Sequence, residues 1–152
     1  MMMKRIAVLV LAVLFFTTGF AQEGVTWETQ EPIWDVTSIR IYPNAGQQYL
    51  NNLRRTWVSA MEESKKLGLI SDYKILSSLT NNGPGYNLLL IVHYPNLAAM
   101  DATSALRAKW KQLDEKMQEK IPTEESQEIS LTVYPNLREI ENQQLMRELK
   151  FK

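Results

Sequence analysis

The stretch IRIYPNAGQQYL, residues 39–50, places the tripeptide Tyr-Pro-Asn between a β-type run and a helical one. The tripeptide recurs in LIVHYPNLAAM, residues 90–100, and in SLTVYPNLREI, residues 130–140. Proline fixes its own backbone and disfavours helix in the residue before it, and asparagine is a preferred helix N-cap. Each copy therefore predicts the end of a strand followed by the start of a helix.

The apolar patterns between these joints predict the remaining elements. Apolar runs bounded by polar or turn residues predict four strands, at 34–42, 72–80, 86–94 and 126–134. Apolar residues three and four apart predict long helices over 45–67 and 97–120, and the third joint predicts a C-terminal helix over 136–152. This order, β-α-β-β-α-β with an added helix, predicts a ferredoxin-like α+β fold: a four-stranded antiparallel sheet with both long helices on one face.

The first 21 residues predict a secretory signal peptide. Lys4 and Arg5 precede an apolar run at 6–16, and the sequence Gly-Phe-Ala at 19–21 predicts cleavage after Ala21. The run is short for a membrane-spanning helix, which leaves a retained anchor as the lesser alternative. We therefore expect a periplasmic or secreted protein without a membrane contact after cleavage. It should not be a lipoprotein, because no cysteine follows the run.

Cleavage leaves 131 of the 152 residues, which is the length of one domain. We expect a polar leader at 22–33, the ferredoxin-like domain at 34–135 and the C-terminal helix at 136–152. Loss of Lys4 and Arg5 lowers the formal net charge from zero to −2. A mildly acidic chain has no electrostatic reason to bind nucleic acid or an anionic membrane.

The residue types present limit the available chemistry. The chain has no cysteine, which excludes thiol catalysis, disulfides and cysteine-based metal sites. Its single histidine has no carboxylates near it in sequence, so we expect no transition-metal site.

Alternation along the strands assigns side chains to two faces of the predicted sheet. On the helix side we expect Ile39, Ile41, Ile129, Leu131 and Val133. On the open face we expect Ser38, Arg40, Tyr42, Ser130, Thr132 and Tyr134, joined by Leu88, Leu90, Val92 and Tyr94. The centre of such a face is too apolar to remain in water, and a second copy placed sheet to sheet would bury it. We therefore expect a homodimer through the open sheet face.

This element order, over residues 34–135, resembles the dimeric α+β barrel superfamily, which includes antibiotic-biosynthesis monooxygenase-like, EthD-like and haem-degrading proteins. The resemblance rests on element order and on the half-apolar open face. It implies a homodimer whose two sheets form a barrel, with a ligand site in the cleft between sheet and helices. Members of the haem-degrading branch use a set of Asn, Trp and His, which has no residue-by-residue match in this sequence.

Five residues are candidates for a ligand site: Arg40, Tyr42, His93, Tyr94 and Tyr134. His93 is expected at the end of the third strand, on the helix side, either as a haem ligand or general base or as a half-buried structural histidine. Arg40 is expected on the open face, either binding a carboxylate or forming an ion pair, with Glu128 as one possible partner. The three tyrosines share one position relative to the joints, which favours a structural role but leaves a ligand role open.

We therefore favour an exported homodimeric module that binds a small apolar ligand, with no cofactor and with catalysis left open. The alternative is a cofactor-independent monooxygenase or haem-handling enzyme of the same superfamily. A third hypothesis is a scaffold that binds a partner through its charged C-terminal helix.

Overall fold

The computed structural model describes residues 25–80 and 85–152. The predicted signal peptide and its cleavage site lie outside these residues. Four strands form one antiparallel sheet: β1 (Trp27–Ile41), β2 (Asp72–Ser77), β3 (Leu88–Tyr94) and β4 (Arg138–Phe151). Their order across the sheet, β2-β3-β1-β4, confirms the predicted ferredoxin-like α+β class.

The first long helix follows β1, as predicted. It comprises α1 (Gly46–Leu53), a π-helical turn (Arg54–Val58) and α2 (Ser59–Lys66). Gly68, just beyond its end, has a φ of 65°, the left-handed conformation that glycine adopts without strain. The prediction that Asn44 caps this helix is wrong. Asn44 itself has a φ of 65° and forms part of the preceding turn, and Ala45 is the residue before the helix.

The second joint does start a helix, but a shorter one than predicted. The Asn96 side chain accepts a hydrogen bond from the Ala99 N–H at 3.0 Å and caps a 3₁₀ helix (Leu97–Met100). The chain then becomes extended, and α3 (Ser104–Lys120) begins after Thr103, whose hydroxyl accepts from the Leu106 N–H. The helix predicted over 97–120 is therefore two helices with separate caps.

In the C-terminal third, the predicted strand is a helix and the predicted helix is a strand. Residues 126–134 are not a strand, because they belong to a helix made of α4 (Thr123–Glu128), a π-helical turn (Ile129–Val133) and α5 (Tyr134–Leu137), here called the last helix. Residues 138–151 are not a helix, because they form β4 along the free edge of β1. The third joint accordingly ends a helix instead of a strand. The extra helix of this fold lies before the fourth strand and not after it.

Strand β1 is also longer than predicted. Residues 27–33, expected in a leader, are its first part, and Trp27 pairs with Phe151 near the end of β4. The cause is tertiary, because the far end of the chain provides the hydrogen-bonding partner for a segment with little strand pattern of its own.

The helices cover one face of the sheet, and two clusters of buried side chains form the core there. The larger contains Ile39, Tyr49, Leu53, Leu88, Leu90, Ile129, Tyr134 and Leu137. The smaller contains Leu69, Ile70, Val92 and Leu113. Ile39 and Ile41 lie on the helix side, as predicted. The assignment of Leu88, Leu90 and Val92 to the open face is wrong by one residue of register, since all three are buried under the helices.

Candidate functional site

A cavity of about 410 Å³ opens between the first long helix, α3 and the last helix. Cavities of this size commonly hold small molecules. All three helices, and the turn between α3 and the last helix, contribute to its lining: Thr56, Trp57, Ala60, Asp114, Met117, Gln118, Ile121, Thr123, Ser126, Gln127, Ser130 and Tyr134.

The walls of this cavity, here called the helix cavity, are largely apolar. Trp57 packs against both core clusters, so its indole ring is held in place from behind. It also meets the ring of Tyr73 edge to face, with centroids 5.4 Å apart. Ile121 is buried, and Met117 packs on the smaller core cluster. A rigid aromatic wall together with a flexible thioether suits an apolar ligand body.

A pair of hydrogen-bonded hydroxyl groups forms a polar part of the lining of the helix cavity. Thr56 Oγ1 donates to the Asn52 carbonyl oxygen at 2.8 Å and lies 2.5 Å from Tyr134 Oη. Because the single Thr56 proton is used on Asn52, Tyr134 must donate the second hydrogen bond. The lone pairs of Tyr134 Oη then remain able to accept a hydrogen bond.

Tyr134 is held firmly in this position. It is buried, and its ring lies 5.4 Å from the ring of Tyr49 and 5.0 Å from the Arg138 guanidinium. Burial raises the pKa of Tyr134, and the smaller effect of the Arg138 charge opposes this shift. The hydroxyl therefore stays protonated at neutral pH, as the hydrogen bond to Thr56 requires.

Both π-helical turns border the helix cavity. The first contributes Thr56 and Trp57, and the second contributes Ser130 and leads directly into Tyr134. A π-helical turn holds one more residue than an α-helical turn and often occurs at a functional site, where it shifts side chains out of the regular helical register. The two turns together bring Thr56 and Tyr134 face to face.

Three grooves in the described part of the chain are larger than this cavity. The smallest of them, of about 470 Å³, lies beside the first part of β1 and includes Glu31 and Arg147. The two largest differ from the helix cavity in character. One, of about 740 Å³, runs along the outside of the first long helix and is lined by charged side chains, including Arg54, Glu62, Lys66 and Lys120. The other, of about 610 Å³, lies beside the end of β1 and includes Tyr42. None of these three grooves is lined by a hydrogen-bonded hydroxyl pair between largely apolar walls, so the helix cavity is the better ligand site.

The described helices leave one face of the sheet, the open face, uncovered. Along each strand, the side chains of this face alternate with those that point into the core. Its apolar members are Trp34, Val36, Leu76, Leu89, Ile91 and Met146. Polar members are Ser38, Arg40, Asp72, Lys74, His93, Glu139, Asn142 and Gln144. The composition is close to half apolar, as predicted, although other residues supply the apolar part.

His93 lies on this open face and not on the helix side, where the sequence placed it. Its ring is 4.4 Å from the ring of Trp34, and Lys74 Nζ lies 5.5 Å from that indole. The sheet therefore separates His93 from the helix cavity. The prediction of haem ligation or base catalysis depended on a position for His93 between the helices and the sheet, and His93 does not lie there.

Arg40 lies on the open face, as predicted, in an ion pair with β4. Its guanidinium contacts Glu139, and its Nε lies 2.6 Å from Glu141 Oε1. The hydrogen bond to Glu139 and the charge of Glu141 raise the pKa of Arg40. Glu128, suggested as a partner, lies in the last helix instead.

The three tyrosines of the joints do not share a sheet face. Tyr42 follows the end of β1 and packs on the larger core cluster. Tyr94 faces the helices and packs on the smaller cluster, where burial raises its pKa. Tyr134 alone of the five predicted site residues lines the helix cavity. The ligand roles of the five remain predictions.

No pattern in the sequence indicated the role of Glu63, which lies among three lysines. Its side chain is only 8% exposed and pairs with Lys66 at 2.9 Å, Lys120 at 2.7 Å and Lys116 at 3.4 Å. Hydrogen bonds from Lys120 and Lys66 lower the pKa of Glu63 to about 2. This cluster ties α2 to α3 and so fixes one side of the helix cavity.

Within residues 25–80 and 85–152, no cluster of three or more His, Asp or Glu side chains is arranged to hold a metal ion. In the same part of the chain, no helix combines the length and apolar character needed to cross a membrane.

No protein-family model matches this chain, and no curated protein matches its sequence. A solved protein from Shewanella oneidensis is similar to it at 14% identity and a TM-score of 0.49, over 82% of this chain and 98% of that one. A dimeric ferredoxin-like protein from an uncultured marine organism is similar at 12% identity and a TM-score of 0.39, over 81% of this chain and 96% of that one.

A dimeric protein of unknown function with a ferredoxin-like fold, from Bacteroides fragilis, is similar at 12% identity and a TM-score of 0.35. The similarity covers 82% of this chain and all of that one. The ferredoxin-like class in these descriptions is also the class that the strand order of this chain defines.

Proposed function

We propose that this protein is an exported homodimeric module that binds a small, largely apolar ligand in the helix cavity. The observation that carries the proposal is the cavity itself, which places a half-buried hydroxyl pair between the largely apolar walls of three helices. The side chains around it are fixed by core packing on one side and by the Glu63 cluster on the other. A site held in this way binds a ligand without first having to become ordered.

The homodimer is proposed from the open face of the sheet. Leu76 and Met146 are each about half exposed there, and the central residues Val36, Leu89 and Ile91 have no described helix above them. A second sheet stacked on this one would remove the apolar centre from water while leaving polar residues at its margins.

Calorimetric titration with 2-(1-naphthyl)ethanol, an uncharged amphipathic probe, tests ligand binding. The chain without residues 1–21 should bind it, and Ala60→Phe should abolish binding, since Ala60 lines the helix cavity and a phenyl ring would occupy the space. Ala108→Phe is the matched control, because Ala108 is exposed on α3 outside the lining. Equal loss in both variants, or binding unaffected by either, would locate the probe elsewhere.

Sedimentation velocity of the same chain tests the homodimer. The native protein should sediment as a dimer at micromolar concentration, and Ile91→Lys should produce a monomer, because it places a charge at the centre of the open face. Leu131→Lys is the control, since Leu131 is 76% exposed on the last helix. A native monomer would remove the dimer from the proposal.

Export is tested by expressing the full chain in a bacterium and measuring the mass of the product outside the cytoplasm. The expected product begins at Gln22. Retention of the full-length chain in the cytoplasm would contradict export.

A further inference from the structure

We infer that the helix cavity selects an amphipathic amine: a cationic ammonium group at its mouth, on an apolar or aromatic body packed between Trp57 and Met117. This inference rests on the proposed ligand-binding function and adds the chemical class of the ligand. It is carried by the charge and hydrogen-bonding character of the lining residues.

The charge of the lining has one sign. Asp114 is the only formally charged side chain among the twelve lining residues, which include no lysine or arginine. Within the described part of the chain, no basic side chain lies within 4 Å of the Asp114 carboxylate. The adjacent acid, Glu115, has Lys111 as its partner at 3.8 Å. Asp114 therefore favours a cation and repels an anion.

The hydrogen-bonding direction at the Thr56–Tyr134 pair agrees with this charge. Tyr134 Oη donates to Thr56, and Thr56 donates to the Asn52 carbonyl, so both hydroxyl protons are already used. What Tyr134 offers to the cavity is an acceptor. A ligand that donates, such as one carrying an N–H or O–H group, satisfies Tyr134, whereas a carboxylate or carbonyl does not. The other polar lining side chains can donate as well as accept and so add no preference: Gln118, Thr123, Ser126, Gln127 and Ser130.

The aromatic wall adds a third contribution. A cation within about 6 Å of an indole face is attracted by the negative potential of the ring. Trp57 lines the same cavity as Asp114, so one bound ammonium group can interact with both a carboxylate and an indole. Asp114 is exposed and Trp57 half-buried, so each effect is moderate, and together we expect about a tenfold preference for the cation.

Three probes with the same ring system separate these effects: 2-(1-naphthyl)ethylamine, 2-(1-naphthyl)ethanol and 3-(1-naphthyl)propionate. In calorimetric titrations at neutral pH and low salt, the amine should bind about tenfold more tightly than the alcohol. The propionate should bind most weakly. Raising the salt concentration should reduce the difference between amine and alcohol, because the Asp114 contribution is screened.

Two isosteric variants locate the origin of the selectivity. Asp114→Asn should weaken amine binding several-fold and leave alcohol binding unchanged. Glu115→Gln removes the same charge one residue away, outside the lining, and should leave both unchanged. If the alcohol or the propionate binds native protein as tightly as the amine, or if Asp114→Asn has no selective effect, the inference fails while the ligand-binding function stands. If none of the three probes binds, the proposed function itself fails.

Discussion

The sheet pairs two isoleucines that differ in burial and so permit a controlled test of the packing. Ile39 on β1 and Ile140 on β4 are cross-strand partners on the helix side of the sheet. Ile39 is 1% exposed and belongs to the larger core cluster, whereas Ile140 is 50% exposed. Replacing each by alanine removes the same three carbon atoms from the same level of the sheet.

The expected costs follow from that difference in burial. Transfer of three buried carbon atoms is worth about 2.4 kcal/mol, at about 0.8 kcal/mol each. The cavity left inside the core brings the cost of Ile39→Ala to about 3–4 kcal/mol. At Ile140 about half of the transfer term applies and no cavity forms, so Ile140→Ala should cost about 1 kcal/mol.

Urea unfolding of both variants and the native chain, followed by circular dichroism, measures the two free energies of unfolding. The difference in burial predicts that Ile39→Ala is the more damaging by about 2 kcal/mol or more. Equal losses would refute it, because they would mean that Ile140 is as fully covered as Ile39 and that β4 is not an open edge on this side.

Three further predictions concern charge, backbone conformation and the histidine. Glu63→Gln should destabilise the protein near neutral pH and lose its effect towards about pH 2. Lys120 and Lys66 lower the pKa of Glu63 in the folded protein from 4.5 to about 2. The ionised carboxylate therefore stabilises the fold above pH 4.5, and this stabilisation disappears as the pH falls from 4.5 to about 2. A difference in the free energy of unfolding that does not depend on pH would contradict this. Gly68→Ala should lower the free energy of unfolding, measured in urea, by about 1 kcal/mol. The cost comes from the backbone, because φ is 65° at this position and the added methyl group would have only ordinary contact distances. No loss of stability would count against the left-handed conformation. Haemin should have the same absorption spectrum with the native protein and with His93→Ala, because the imidazole ring of His93 packs against Trp34 on the open face. A Soret shift that is present with the native protein and absent with the variant would favour the haem-handling hypothesis.

The first two-thirds of the fold could be predicted because local and tertiary signals agree there. The first long helix has an apolar stripe facing the sheet, and β3 is an apolar run at the centre of the sheet whose helix-facing residues are buried. In both, the residues with the strongest pattern are also the residues that become buried.

The C-terminal third could not be predicted because its local signals oppose its structure. The sequence SQEISLTVY at 126–134 alternates as a strand does, yet Ile129, Val133 and Leu137 also recur at four-residue steps and pack as a helix. The sequence REIENQQLMRELKF at 138–151 is rich in residues that favour helix, yet it is a strand because the free edge of β1 is available along its length. Because β4 is exposed on both faces, its sequence has no alternation of apolar and polar residues from which a strand could be predicted.

The site was less predictable than the fold. Tyr134 was a candidate because of its tripeptide, but the residues that make it useful, Thr56 and Asp114, come from two other helices. A hydroxyl adjacent to Trp57 in an apolar stripe is a weak signal by itself. The π-helical turns that bring Thr56 and Tyr134 together depend on packing, and no pattern in the sequence indicated them.

The pairing of β1 with β4 has a consequence for the time course of folding. Their contacts join residues about as far apart as the described chain allows: the Arg40–Glu139 pair spans 99 positions and the Asp35–Gln143 hydrogen bond spans 108. Contacts of such sequence separation require closure of the longest loops and form slowly. During folding, β1 must therefore keep one edge unpaired until residues 138–151 pair with it, so a segment made late in synthesis completes the structure of a segment made early.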